Sequence, residues 1–216
     1  MLSMYNFTKN EIRDLIIAFI VLSFCFAISN VGMDLKGIIS ILPIVMVGVG
    51  VGFIMHELGH KYMSMKHGYR AEFELWPLGL VIALITAFLG FVFAAPGSVK
   101  TYADEMTDEI NGKITLAGPM ANIGLAILFL LIAALIYPFS IHSELFRLIY
   151  LICTVGFSVN SFLATFNLLP FYSLDGTKVM KWSVRAWLMA FAIAAIMMLV
   201  SVTIGAENMV GLIIGM

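Results

Sequence analysis

The chain has 216 residues, of which 62% are hydrophobic and only 12% charged, against roughly half and a quarter in ordinary globular domains. That composition excludes a water-soluble domain of this length, and a net charge of -1 gives no basic surface for nucleic acid. The solvent these residues are written for is a lipid bilayer.

Asn6, Lys9, Glu11, Arg13 and Asp14 precede a first apolar run, 15–31. No small-residue cleavage pattern follows it, so it reads as a transmembrane helix and not as a removable signal. A second run, 37–60, follows the turn Asp34-Leu35-Lys36-Gly37, and the two form a hairpin. Further runs at 114–137, 145–168 and 186–204 are long enough to span, giving five crossings. Cys25 and Cys153 fall inside predicted helices and read as small buried side chains, not as a disulfide or a thiolate site. No internal repeat, low-complexity tail or appended soluble domain is found, so 1–216 reads as one membrane-embedded domain.

The apolar run 78–95 is the difficult one. Trp76-Pro77 marks its entry, and Gly79, Gly90 and Pro96-Gly97 punctuate it. Lys9 and Arg13, the cluster Lys61, Lys66 and Arg70, and the cluster Lys178, Lys181 and Arg185 all belong on the cytoplasmic side by the positive-inside tendency. A complete crossing at 78–95 would put residues 169–185 outside. A re-entrant segment that dips in and returns restores the parity, and irregular backbone is tolerated where it is buried in protein or lines a cavity. Just before it, residues 68–77 alternate with period two, with Phe73 and Leu75 opposite Glu72 and Glu74. That pattern fits either a short strand or an interfacial connector. The acidic stretch Asp104, Glu105, Asp108 and Glu109 reads as a solvated face.

At the inner end of the second run, His56-Glu57-Leu58-Gly59-His60 spells H-E-x-x-H. From Gly37 to Met55 there is no charged side chain, and ionisable groups at such a place cost several kcal/mol unless paired or metal-bound. Residues four apart on a helix face the same way, so both imidazoles reach one Zn2+, with Glu57 placed to act on a water. A third ligand must come from elsewhere. Asp175 in Asn167-Leu-Leu-Pro170-Phe-Tyr-Ser-Leu174-Asp175-Gly176 is the best candidate, since a proline bend and a flexible glycine can turn it back; an ordinary Asp-Gly turn fits the same residues. His67 lies near the surface, and His142 falls on the opposite membrane face.

With His56-Glu57-x-x-His60, Gly118-Pro119-x-x-Asn122 and Asn167-x-x-Pro170 followed by Leu174-Asp175-Gly176 in this order, the chain resembles the site-2 protease family of membrane-embedded zinc metalloproteases, the peptidase M50 class. The likeness covers about residues 50 to 185. It implies an all-α polytopic core with a small β element that fits 69–75. It also implies one Zn2+ per chain held by His56, His60 and Asp175, with Glu57 as the base. Transmembrane proteins or peptides are the implied substrates, unwound locally before cleavage. Asn122 and Asn167 are candidates for contacts to substrate or oxyanion, and helix packing is an equally ordinary use for each. The expected place is the cell membrane, multi-pass, with the site toward the cytoplasm. Neither a periplasmic PDZ insertion nor a nucleotide-sensing domain is present in the sequence. The competing readings are a non-proteolytic zinc-binding scaffold or chaperone, and a transporter; the latter would need polar groups along a path instead of at one point.

Overall fold

Apolar length decides most of this architecture. The computed structural model describes residues 7–103, 105–172 and 174–214, so Asn6, Asp104 and Ser173 lie outside it. Within those residues, α1 (Lys9–Val31), α2 (Leu35–Lys66), α4 (Asp108–Ser140), α5 (Glu144–Asn167) and α7 (Val184–Thr203) are the five transmembrane helices. The predicted spans sit inside them to within a residue or two. The helices run past the apolar limits to polar caps: Thr8, Asp34, Thr107 and Ser183 each accept a first-turn N–H. Pro43, Pro119 and Pro138 lie inside helices, which a membrane bundle tolerates because neighbours satisfy the freed backbone.

Burial is inverted relative to a water-soluble bundle. On α7 the buried residues are Ala190 and Ala194, while Leu188, Leu199 and Val202 face outward. Lipid gives large side chains no reason to turn inward, so small residues let the helices approach. α7 closes against α5 and α4 in this way, through Ile123, Ala164 and Leu168. The other half of the interior joins α1, α2 and α5 through Leu22, Val45, Val49, Val159 and Leu163. Cys25 and Cys153 are buried and free, as expected.

The segment 78–95 is resolved by its ends. β1 (Arg70–Leu75) pairs antiparallel with β2 (Gly97–Tyr102), Leu75 opposite Gly97, and the Trp76 N–H donates to Pro96 O at 2.8 Å. The chain therefore leaves and returns at one point. Between them α3 (Pro77–Ala87) has 11 residues, a rise of about 16 Å against a hydrocarbon core of about 30 Å. The excursion is re-entrant. The strand expected over 69–75 exists, and its partner β2 was not foreseen.

One edge of β1 is taken by β2, and the other is closed by α1. Glu11 Oε1 accepts the Phe73 N–H at 3.2 Å, and Asp14 Oδ2 accepts that of Leu75 at 3.4 Å. Glu11 also receives Lys61 Nζ at 2.6 and 2.7 Å, with both side chains almost fully buried and the ammonium 4.0 Å over the Phe7 ring. This ion pair ties α1, α2 and the sheet together next to His60. Removing one partner strands the other charge, which typically costs about 3–5 kcal/mol, whereas replacing both is often near neutral. Lys61→Met is expected to lower unfolding stability in detergent by that amount, and Glu11→Gln added to it, which removes the charge and keeps the acceptor for the Phe73 N–H, to recover most of the loss. Equal stability of the single variant and the parent would show the pair to be without weight.

α6 (Asp175–Trp182) is a short helix at the same end, and α8 (Ala206–Ile214) follows α7. The α4 N-terminus is held there by Asp108, whose carboxylate meets Lys181 at 2.9 Å. Glu109 pairs with Lys113, so the described part of the acidic stretch is the solvated face expected of it.

Candidate metal centre

His56 and His60 project from successive turns of α2 into the bundle, both under a tenth exposed. Their Nε2 atoms are 3.0 Å apart, and Asp175 Oδ2 lies 3.2 Å from each. The hydrogen bonds on the far side of each ring fix what those atoms are. His60 Nδ1 faces the carbonyl of Ile114 at 3.0 Å, an acceptor only, so Nδ1 is the protonated nitrogen. His56 Nδ1 donates to Asn122 Oδ1 at 2.6 Å. In the neutral rings that bind a metal, both Nε2 atoms then present lone pairs to each other and to a carboxylate oxygen. Three electron pairs converging within 3.2 Å repel unless a cation sits among them. A tetrahedral ion with bonds of about 2.0 Å sets its ligands roughly 3.3 Å apart, close to the observed triangle, and two imidazoles with one carboxylate are donors suited to Zn2+. The residues fit one zinc per chain, and they form the one such cluster among the described residues. Asp175 Oδ2 has no hydrogen-bond partner of its own, which accords with a place in the coordination shell.

Two glycines make the cluster reachable. A Cβ on Gly118 would lie 2.4 Å from His60 Nε2 and 2.7 Å from His56 Nε2, so α4 passes directly over the ligand atoms. A Cβ on Gly176 would lie 2.1 Å from Leu168 O. The expected flexible hinge at Gly176 is instead a helical residue whose smallness lets α6 start against the end of α5. The left-handed backbone in this turn belongs to Tyr172, at φ 50°. Together with Pro170 it reverses the chain and delivers Asp175 to the histidines.

Glu57 lines the same cavity as His56, His60 and Asp175, a space of about 360 Å3. Its Oε2 is buried with no hydrogen-bond partner. The cavity has an apolar wall of Leu22, Phe53, Leu163 and Leu174, and a rim of β2 residues. A second cavity of about 450 Å3 reaches His60 and Asp175 from the other side of β2, past Thr101, Asn111, Thr115 and Lys178. On the rim, the hydrogen bonds from the Lys100 ammonium and the Tyr102 hydroxyl hold the Glu74 carboxyl below its usual range, and the same bond raises Lys100.

Asn167 also lines the first cavity, and one hydrogen of its amide goes to Leu163 O at 3.0 Å. Asn122 is fully buried. Its amide hydrogens go to Gly52 O at 3.0 Å and Asn160 Oδ1 at 2.9 Å. His67 caps α2 and donates to Met63 O, apart from the cluster, and His142 lies in the turn after α4 at the far end of the bundle. The residue that sequence reasoning missed is Asn160, an amide in the middle of the largely apolar α5.

A protein of Methanocaldococcus jannaschii named "putative zinc metalloprotease" is 39% identical to this chain over 187 residues, which is 86% of this chain and 91% of that protein. A Bacillus subtilis protein of the same name is 26% identical over 156 residues, 66% of this chain and 70% of the relative. A second M. jannaschii protein, named zinc metalloprotease, is 26% identical over 132 residues, 61% of this chain and 31% of that longer protein. No family model and no solved structure matches the chain.

Proposed function

Because the chain belongs to the site-2-protease-like M50 family of zinc metalloproteases, we propose that transmembrane proteins or peptides reach its metal centre through the cavity beside β2 and that Glu57 handles the proton of hydrolysis. The protein is a zinc-dependent intramembrane peptidase. The observation that carries the reading is the convergence of two imidazole Nε2 atoms and a carboxylate on one point, at one end of five membrane-spanning helices.

Lewis acidity, which acidifies water and polarises a carbonyl, is what the metal supplies when bound. The rest falls to this chain. Glu57 takes a proton from the attacking water as the new C–O bond forms, and returns it to the nitrogen as the C–N bond breaks. His56, His60 and Asp175 hold the ion. Water reaches them through the second cavity, where Thr101, Asn111 and Thr115 stand in place of the apolar wall of the first. An extended peptide in the first cavity meets β2, the strand whose outer edge has no strand neighbour among the described residues. The closure of β1 by Glu11 and Asp14 leaves this role to 97–102. Asn167 is the amide that faces such a peptide; Asn122, with its hydrogens already given away, orients His56.

The site opens toward the cytoplasm in this reading. Of the twelve lysines and arginines, only Lys36 and Arg147 lie at the end of the bundle away from the sheet, a bias of the kind that sets orientation.

Purified protein in lipid vesicles, given transmembrane peptides, is expected to cleave them, to stop on chelation and to resume when one equivalent of zinc per chain is restored. Cleavage untouched by removal of the bound metal would overturn the mechanism. One bound zinc with no cleavage across a broad peptide panel would favour a zinc-binding scaffold.

A further inference from the structure

Asn160 belongs to none of the sequence motifs, yet it sits at the head of a hydrogen-bond chain that ends on a metal ligand. It lies in α5, fully buried. Its Nδ2 donates to Gly156 O of its own helix at 2.8 Å, which turns its Oδ1 toward α4. There Oδ1 accepts from Asn122 Nδ2 at 2.9 Å. The same Nδ2 gives its other hydrogen to Gly52 O on α2, at 3.0 Å. Asn122 Oδ1 is then the atom left to face His56, and it takes the Nδ1 proton at 2.6 Å.

The direction of this chain matters, since an amide can face either way round. Were Asn122 flipped, its NH2 would face His56 Nδ1, the proton would move to Nε2, and the ligand lone pair would be lost. Flipping would also set Asn122 Oδ1 against two acceptors, Gly52 O and Asn160 Oδ1. We infer that Asn160 is a positioning residue for the metal centre: its side-chain oxygen, acting with Gly52 O, holds the amide orientation of Asn122, and so the metal-binding tautomer of His56. Outer partners of metal-bound histidines act in this way, and losing one commonly weakens metal binding about 10- to 100-fold. The inference rests on His56 as a zinc ligand.

Two variants and one spectrum test it. Asn160→Leu keeps the volume and removes the acceptor. Asn160→Asp, in its neutral form, can donate to Gly156 O and accept from Asn122. Competition against a chelator should show zinc bound about 10- to 100-fold more weakly by Asn160→Leu, with Asn160→Asp restored to within a few-fold of the parent. Nitrogen-15 spectra of histidine-labelled, metal-stripped protein should show His56 protonated at Nδ1 in the parent and shifted toward Nε2 in Asn160→Leu. Unchanged affinity and tautomer in a folded Asn160→Leu would overturn the inference and leave the zinc site standing. Should that variant fail to fold, an Nε2–H His56 in the metal-stripped parent would overturn it by itself. A parent that binds no zinc would remove the metal reading and this one together.

Discussion

Glu57→Gln is expected to slow peptide cleavage by about 100- to 10,000-fold, the usual contribution of a positioned acid–base group, while the protein still binds one zinc. Glutamine keeps the shape of the side chain and removes the basicity. The ligand triangle is made by His56, His60 and Asp175 without Glu57, so metal content has no reason to fall. Stability has none either, because Oε2 is buried without a partner and a neutral group is cheaper to hold there than a charge. Initial rates on a transmembrane peptide, read beside zinc stoichiometry and an unfolding curve, separate the three quantities. A variant that loses zinc along with activity would make Glu57 a structural member of the site. A variant that cleaves at the parent rate would take away its role as base.

Gly118→Ala is expected to be as damaging by a different route. In an ordinary helix the exchange is favourable by about 1 kcal/mol, so a weakened α4 cannot account for a loss. Here the added methyl would lie 2.4 Å from one ligand nitrogen and 2.7 Å from the other. The histidines or α4 must move, and neither is free: His56 and His60 are held through Asn122 and Ile114 O. Zinc affinity should fall by more than the 10- to 100-fold typical of outer partners, and activity with it, in a protein that remains helical and monodisperse. Affinity and rate within twofold of the parent would show that α4 yields at no cost and that the close approach is incidental.

The transmembrane helices were legible because crossing hydrocarbon is a one-dimensional demand: enough apolar residues in a row, with charges only at the ends. The site residues on α2 were legible for the opposite reason. His56, Glu57 and His60 are polar where polarity is expensive, so they stand out. β2 was hidden because Pro96-Gly97 reads as a break, and nothing in Ser98-Val99-Lys100-Thr101 announces a partner 22 residues earlier at the Leu75–Gly97 pairing. Gly176 was read for its torsional freedom when its lack of a side chain is what counts. Asn160 was masked by its neighbours. Ser158, Ser161 and Thr165 on the same helix all bond back to carbonyls four residues earlier, so one amide among them resembles ordinary helix decoration. Only the distance to Asn122, a three-dimensional fact, distinguishes it.

The closed return at Leu75 and Gly97 also separates two kinds of constraint on the chain. An excursion that begins and ends at one hydrogen-bonded gate has even parity: whatever happens inside it, the next helix starts from the same side. Residues 78–95 can therefore drift in sequence or length without inverting the sidedness of everything that follows. A true crossing has no such freedom, because deleting it would carry Asp175 to the opposite face, beyond reach of the two histidines. The gate leaves a stretch beside the site free to change while the address of Asp175 stays fixed.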